Sequence, residues 1–474
     1  MQRFLNWRKM RMKIERDNYT FLTQGPIHRV IGTMAVPTII SMLVISLYNV
    51  ADTFFVGKID TQSTAAVGIV FSVMFFIQAF SFFFGNGSGN YISRELGAKR
   101  HRNAEVMAAT AFFYALLTGI VILIVGEALL SPLSVVLGST PTILPYTEKY
   151  MGIVLFGAPF VTSSLTLNNQ MRFQGNANYA MRGIVAGVIL NIVLDPVFIF
   201  GFGMGVSGAA LATVIGQISS FLILLRMTYR GGSIRIRWYN FSRSPIYLRE
   251  IIAGGTPSLL RQGLTSLATV MLNVGAGVYG DAAIAAMSIV SRFTMMVMAT
   301  VIGFGQGFQP FCGFCYGAQL YARVREGFWF SVKFSTIFLA ACSVLSWIFS
   351  DGIIDLFRRD SDVIDIGCDA LRWQLSTLPL CGLIMLGNML LQTIRKPWRA
   401  NLLAAARSGL FFIPFVIIFP RFFGLAGVEM SQPMSDICAT ILTLPIVLSV
   451  FREMTNEERK KKTPLTDCEQ GRDK

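Results

Sequence analysis

Long apolar stretches alternate with short polar ones along almost the whole chain. A helix needs roughly 20 apolar residues to cross the ~30 Å hydrocarbon core of a bilayer, so runs of about 18 residues with few charges mark candidate spans. Twelve such runs occur, at 30–56, 64–84, 104–126, 146–168, 180–200, 208–229, 249–275, 283–304, 327–349, 366–392, 399–419 and 425–451. The pattern predicts an all-α polytopic membrane protein with twelve transmembrane helices.

Composition supports this prediction and excludes a soluble protein. Of the 474 residues, 53% are hydrophobic and 14% are charged, and the mean hydropathy is +0.56. Soluble chains carry about 25% charged residues, so lipid is the expected solvent for most of these side chains. The polar, basic segment 1–29 has no apolar core followed by small residues, so it does not show the pattern of a cleaved signal peptide.

The basic residues are distributed unevenly, which argues against a nucleic-acid partner despite a net charge of +15. They collect in every second loop, near 94–102, 226–249, 323–325, 395–399 and 460–462, whereas the opposite loops hold only Lys58, Arg358, Arg359 and Arg421. This is the positive-inside asymmetry. It predicts cytoplasmic N- and C-termini in the bacterial inner membrane, with the loop 226–250 resting against anionic lipid headgroups.

The second half of the chain repeats the first. A shift of 220 residues brings Pro37 onto Pro257 and Asn168 onto Asn388. Six helices return each repeat to the same side, so the halves are parallel six-helix bundles related by a pseudo-two-fold axis. The two prolines interrupt the first and seventh helices and are the expected hinges. The predicted parts are a basic N-terminus at 1–29, an N-lobe at 30–229, a cytoplasmic inter-lobe loop at 230–248, a C-lobe at 249–451 and a charged tail at 452–474.

Two carboxylates inside membrane spans of the N-lobe are candidates for chemistry, because a buried ionisable group is costly there. Asp52 and Asp195 share a depth near the outer surface, Asn191 is one turn before Asp195, and Thr213 lies at matching depth in the sixth span. Pro196 removes a backbone donor beside them. Such a set of oxygen donors could hold a proton or a small hard cation. The alternative is structural: Asp52 caps a helix end in the headgroup zone, and Asp195 is satisfied by interhelical hydrogen bonds.

Further intramembrane charges in the C-lobe leave two interpretations open. They are Arg292, Arg407, Glu429 and Asp436. They could pair with one another, or they could line a polar, water-filled interior.

Other motifs exclude several classes of protein. The glycine runs have no following Lys-Ser or Lys-Thr, so ATP drive by a Walker A loop is not expected. The C-x-x-C spacing of Cys312 and Cys315 has no partner pair for zinc, and reduced packing thiols are expected there. The two histidines, His28 and His101, lie in predicted cytoplasmic segments. We therefore expect no metal site, no cofactor and no enzyme activity.

At the level of motifs the chain resembles the multidrug and toxic compound extrusion (MATE) transporters over nearly its whole length. The resemblance rests on the two six-helix halves and on the segments 49–53 (NVADT), 190–196 (LNIVLDP) and 205–213 (GVSGAALAT). The last two segments are similar to those of the DinF-like branch, which includes MepA-like exporters.

This resemblance implies roles for individual residues. Asp52, Asn191, Asp195 and Thr213 match the N-lobe cation site of that branch, and Tyr48, Tyr150 and Asn168 match positions that line the nearby drug cavity. The NorM-like branch instead places an acid about two turns after the seventh-helix proline, where this chain reads 263–266 (GLTS). Coupling in the C-lobe is therefore not expected from the resemblance.

The resulting functional prediction is secondary active multidrug efflux, an antiport of amphipathic, cationic organic compounds against inward H⁺ or Na⁺. A drug cation and a coupling ion neutralise the same buried carboxylates, so binding of one favours release of the other. Expected partners are the small-molecule substrate and membrane lipid, with the protein a monomer. The alternatives are a lipid-linked oligosaccharide flippase of the same superfamily, a channel or a polytopic membrane enzyme.

Overall fold

The computed structural model describes residues 18–230, 234–357 and 361–462, and this part of the chain is helical without any strand. The helices of the N-lobe are α1 (Ile27–Val56), α2 (Thr61–Gly97), α3 (His101–Ala128), α4 (Leu144–Phe156 and Ala158–Phe173), α5 (Ala177–Pro196) and α6 (Val206–Arg230). Those of the C-lobe are α7 (Pro245–Gly277), α8 (Asp281–Gly317), α9 (Tyr321–Ile348), α10 (Ser361–Thr377 and Cys381–Thr393), α11 (Pro397–Ala405, Ala406–Phe411 and Phe412–Ile418) and α12 (Leu425–Lys462).

These helices confirm the predicted twelve-span architecture in two bundles. Among the described residues, ten helices are long and apolar enough to cross a bilayer by themselves, and the two segments of α4, bent by 48°, make an eleventh span. The twelfth is α7, whose apolar run is interrupted by Arg261 and Gln262. Short helices over Leu130–Val136, Ser350–Phe357 and Pro420–Phe423 connect spans at the end of the bundle away from the termini.

Two breaks occur at equivalent places in the repeats. The segments of α4 meet at Gly157, just before Pro159, and those of α10 are joined by a 3₁₀ turn at Leu378–Leu380 that contains Pro379. A proline lacks the N–H that would continue the helical ladder, so the axis bends there. The single span expected at 146–168 is therefore a bent pair.

Equivalent hydrogen bonds show the duplication at atomic detail. Asn168 Nδ2 donates to the carbonyl of Ala180 at 2.8 Å, and Asn388 Nδ2 donates to the carbonyl of Ala400 at 2.7 Å. Both pairs are 220 residues apart, so the same amide ties α4 to α5 and α10 to α11.

The lobes meet along two helix pairs, α2 with α7 and α1 with α8. Backbones come close at glycines: a Cβ on Gly87 would lie 2.4 Å from the carbonyl oxygen of Ile251, and one on Gly307 would lie 2.4 Å from Cα of Ala35. A side chain at either position would push the helices apart. The glycine-rich runs 85–89 and 303–307 lie inside α2 and α8 and form these close helix contacts.

The lobes are joined at one end of the bundle, the end where α1 begins and α12 ends, which we call the termini end. One buried apolar cluster there takes residues from both lobes, for example Ile31 and Phe308, whereas two further clusters each belong to one lobe. Arg94 pairs with Glu250 at 3.1 Å and donates to the carbonyl of Thr393 at 2.7 Å, and Arg395 also pairs with Glu250. Charged and apolar contacts thus close the inter-lobe interface at the termini end.

The inter-lobe segment 234–244 is bound to the N-lobe. The backbone N–H of Ile234 donates to Gln174 Oε1 at 2.7 Å, and that of Ser242 donates to Thr110 Oγ1 at 3.1 Å. Residues 231–233 of the predicted inter-lobe loop lie outside the described residues, as do 1–17 of the basic N-terminus, 358–360, and 463–474 of the tail.

Candidate cation and substrate site

The structure gathers the four predicted N-lobe residues near the far end of the bundle, opposite the termini end. Asp52 lies in α1, Asn191 and Asp195 lie one turn apart in α5, and Thr213 lies in α6. Each side chain is at most 3% exposed. Asp195 and Asp52 are close enough for their charges to interact. Three helices therefore bring the four side chains into one buried cluster.

A hydroxyl connects the helices of this cluster. Thr213 Oγ1 accepts a hydrogen bond from Asn191 Nδ2 at 3.3 Å and shares another with the Tyr48 hydroxyl at 3.3 Å. Tyr48 is one turn before Asp52 on the same face of α1. The three side chains form a bonded bridge from α1 through α6 to α5.

Several oxygens of the cluster are left without partners. Among the described side chains, none donates a hydrogen bond to Asp52 Oδ1, Asn191 Oδ1 or either carboxylate oxygen of Asp195. A buried carboxylate without donors is costly, so these oxygens call for a proton or a bound cation. The structural alternative, in which interhelical hydrogen bonds satisfy Asp195, does not describe this site.

The helix changes type immediately after Asp195. Pro196 has no N–H to donate, and the chain continues over Val197–Gly201 as a π-helix, with the N–H of Phe202 donating to the carbonyl of Val197 at 2.9 Å. Single π turns are rare in proteins, and those that do occur often lie at functional sites. Here the turn ends the regular part of α5 at the carboxylate.

A cavity of about 160 Å³ lies directly beside the bridge. Tyr48, Asn191 and Thr213 form part of its wall, together with apolar side chains such as Phe71 and Phe75. Asp52 and Asp195 are not among the lining residues, although Tyr48, Asn191 and Thr213 of the same buried cluster are. A mostly apolar pocket with a few polar groups is the form of a small-molecule site.

Two of the predicted cavity residues, Tyr150 and Asn168, are not among the residues that line this cavity. Tyr150 is fully buried in the same part of the N-lobe, close to Thr213, Asp52 and Asp195. Asn168 makes the structural bond to α5 described above and does not line the cavity. Sequence reasoning missed Gln217, which lines the cavity with a buried, unpartnered Oε1. Its position one turn after Thr213 on α6 was an available signal.

The C-lobe contains a buried carboxylate that, unlike that of Asp195, accepts hydrogen bonds on both oxygens. Asp436 in α12 is fully buried, and donors from α10, α11 and α12 surround it. They are Arg407 Nε at 2.7 Å, Gln432 Nε2 at 3.0 Å, Gln374 Nε2 at 3.4 Å, Thr377 Oγ1 at 3.4 Å and Cys381 Sγ at 3.5 Å. We call these six residues the C-lobe polar cluster. The pairing interpretation is therefore correct for Arg407 and Asp436.

The C-lobe polar cluster occupies the place that corresponds to the N-lobe cavity. Subtracting 220 from the residue numbers takes Asp436 to Gly216 and Arg407 to Gly187, both of which line that cavity. Gln374 and Cys381 map onto Val154 and Val161, which also line it. Small and apolar side chains leave a space in one lobe, and a saturated polar network fills the equivalent space in the other.

The remaining candidates have no role in either cluster. Arg292 is exposed on α8, and Glu429 is buried in α12, seven residues before Asp436. Cys312 and Cys315 are buried, free thiols inside α8. Within the described ranges, no three His, Cys, Asp or Glu side chains come together in a way that could hold a metal ion.

Two lobes of six membrane helices, with unpartnered carboxylates beside a small-molecule cavity, define a polytopic membrane transporter. The MatE family model matches the chain twice, at residues 37–197 and 257–418, once in each lobe. The chain therefore belongs to the MatE family of multidrug efflux transporters, and it is not an enzyme.

Curated relatives and a solved structure agree with this assignment. The multidrug export protein MepA of Staphylococcus aureus strain MSSA476 is 25% identical over 433 residues, covering 90% of this chain and 95% of that protein. MepA of Staphylococcus haemolyticus strain JCSC1435 is 24% identical and covers 92% of this chain and 96% of that protein. A multidrug resistance MATE family transporter of the MOP superfamily, solved in an outward-facing conformation, superposes with a TM-score of 0.87 and 26% identity over 92% of this chain and 98% of that chain. The expected MepA-like resemblance is confirmed.

Proposed function

We propose that the protein is a secondary active antiporter, which exports amphipathic, cationic organic compounds in exchange for inward H⁺ or Na⁺. The observation that carries this proposal is the set of unpartnered oxygens on Asp52 and Asp195 beside the N-lobe cavity. Two acids in the cluster that borders the cavity give it a negative potential, which favours a cation over the pyrophosphate of a lipid-linked sugar.

Competition between the two cations is the proposed mechanism. With the carboxylates ionised, their negative charge attracts the drug cation. A proton or Na⁺ at Asp195 and Asp52 cancels that charge and weakens the hold on the drug. The bridge of Tyr48, Thr213 and Asn191 lines the cavity and lies on the same helices as the two acids, so we propose it as the path of this coupling.

The proposed hinges are Pro37 and Pro257, which lie inside α1 and α7. Pro37 interrupts the backbone ladder next to Thr38, whose hydroxyl donates to the carbonyl of Gly303 across the lobe interface at 2.6 Å. Bending of α1 at this point would move its outer half, with Tyr48 and Asp52, relative to the C-lobe.

We further propose that the protein works as a monomer in the bacterial inner membrane, with the termini end in the cytoplasm and no cofactor. The basic residues of the termini end support this orientation.

The test is efflux from proteoliposomes under a pH gradient and a Na⁺ gradient imposed separately. Wild-type protein is expected to accumulate a fluorescent organic cation against its gradient with one of the two, and Asp195→Asn with neither. Transport that ignores both gradients would contradict antiport, and equal transport by the Asn variant would contradict the assigned site. Rates independent of a counter-gradient would indicate a channel.

A further inference from the structure

The segment between α6 and α7 presents an unusual exposed surface at the termini end. Trp238 is 72% exposed, Tyr239 is 65% exposed and Ile246 is 66% exposed. The exposed Arg243 and Arg249 lie in the same stretch of chain. We call these five residues the connector surface.

The connector surface is held in place by the N-lobe. The indole of Trp238 packs edge-on against Phe113 of α3, with ring centroids 4.7 Å apart, and stacks against Phe241 at 5.8 Å. Arg102, in the first turn of α3, donates to Asn240 at 2.6 Å. These contacts add to the backbone bonds at Ile234 and Ser242. The exposed rings therefore project from a fixed support.

The level of the connector surface matches the edge of the bilayer. The segment that carries it contacts Arg102 in the first turn of α3, Thr110 and Phe113 two to three turns further along, and Gln174 just after the end of α4. Helix ends of a membrane bundle lie at headgroup level, where Trp and Tyr are enriched and long basic side chains reach the phosphates.

The charge of this segment has one sign. Residues 234–249 contain four arginines and neither Asp nor Glu. The next acid, Glu250, is buried and paired with Arg94 and Arg395. Basic side chains interleaved with exposed aromatic and aliphatic ones suit a partner that has both a negative head and an apolar body.

We propose that the connector surface is a binding site for anionic phospholipids of the leaflet at the termini end. The arginines contact the phosphate, while Trp238 and Ile246 enter the apolar region beneath it. A free phosphate would engage only the arginines and gain nothing from the exposed rings. The site is independent of the transported compound, because it lies at the opposite end of the bundle from Asp195.

Fluorescence quenching in nanodiscs tests this proposal. Lipids with acyl chains brominated near the headgroup quench tryptophans that they touch, and comparison with Trp238→Phe isolates Trp238 among the six tryptophans. We expect brominated phosphatidylglycerol to quench Trp238 several-fold more efficiently than brominated phosphatidylcholine. Arg243→Gln/Arg249→Gln should remove this preference.

A matched control and a competitor make the result decisive. Arg452→Gln/Lys460→Gln removes the same charge from exposed positions on α12 at the termini end, and it should leave the preference unchanged. Equal quenching by the two lipids, or equal loss in both double variants, would overturn the proposal. Loss of the preference on adding inorganic phosphate at constant ionic strength would also overturn it, since it would indicate a phosphate site. Each variant is first shown to be monodisperse, so a folding defect cannot imitate a loss of binding.

Discussion

Replacing a buried aspartate by asparagine should lower the free energy of unfolding in the C-lobe but not in the N-lobe. Asp195 and Asp436 are both fully buried aspartates in membrane helices. Neither carboxylate oxygen of Asp195 accepts a hydrogen bond from a described residue, whereas Asp436 accepts five, including one from Arg407 at 2.7 Å. Replacement of each by asparagine keeps the shape and removes the charge, so the difference between the variants reports the pairing of the carboxylate.

The expected change in the free energy of unfolding depends on the groups that remain around the substituted residue. At Asp195 the amide removes a charge that has no partner, so the free energy of unfolding should stay the same or rise. At Asp436 the amide leaves Arg407 buried without a counter-charge and turns an NH₂ group towards hydrogen-bond donors. Loss of one partner of a buried pair costs about 3–5 kcal/mol, which lowers the folded-to-unfolded ratio by roughly two to three and a half powers of ten.

Thermal unfolding of the purified proteins and drug efflux in proteoliposomes measure the two consequences separately. Asp195→Asn should unfold at the wild-type temperature or above and lose ion-coupled efflux. Asp436→Asn should unfold at a lower temperature, and the fraction that remains folded should still couple. Asp52→Asn should weaken efflux less completely than Asp195→Asn. A loss of stability in Asp195→Asn as large as that in Asp436→Asn would show that Asp195 is a paired structural group, and the reasoning would fail.

Three further predictions concern topology, packing and the inter-lobe interface. In a chain whose seven native cysteines are replaced, Trp398→Cys should resist an impermeant thiol reagent on intact cells, whereas Phe202→Cys should react; these side chains are 81% and 70% exposed at opposite ends of the bundle. Gly187→Ala should reduce the free energy of unfolding by about 1–3 kcal/mol, because its Cβ would lie 1.9 Å from Ser220 Oγ; thermal unfolding measures this loss. Glu250→Gln should raise hydrogen exchange at the termini ends of α2 and α7, since two arginines lose their acid.

Each of these predictions has a result that would contradict it. Fast labelling of Trp398→Cys from outside would reverse the orientation. Gly32→Ala is the matched packing control, because a Cβ there meets nothing within 4 Å; an equal loss of stability in both alanine variants would mean that helix contact is not the cause. Unchanged exchange in Glu250→Gln would show that the apolar cluster alone closes the termini end.

Hydropathy predicted the spans well but ended some of them too early. The predicted run 64–84 stops where Asn86, Ser88 and Asn90 begin, yet α2 continues to Gly97. These polar side chains are buried and satisfied within the protein: Asn86 donates to Ser258 of α7 at 2.9 Å, and Asn90 donates to the carbonyl of Asn86 at 2.8 Å. A scale that rates side chains by their transfer into lipid cannot register a partner that only tertiary packing provides.

Members of the candidate site could be predicted where they lie on the same face of one helix or at the same depth in the membrane. Asn191 and Asp195 are one turn apart, and the depth argument adds Asp52 and Thr213. The resemblance predicted a cavity here and its lining residue Tyr48, but the other lining residues could not be predicted, because they depend on how closely α5 and α6 approach at Gly187. Pairing among the four C-lobe charges was one of the two interpretations left open, but the partners could not be chosen, since Arg407 and Asp436 are on different helices and no periodicity relates them.

The C-lobe polar cluster makes the two halves mechanically unequal. It ties α10, α11 and α12 together through one carboxylate, so those helices resist sliding past each other, whereas the N-lobe has an internal space at the equivalent place. We expect the C-lobe to behave as a rigid unit during transport and the N-lobe to change its internal helix packing. The two halves of the duplicated chain therefore share one membrane topology but are expected to differ in stiffness.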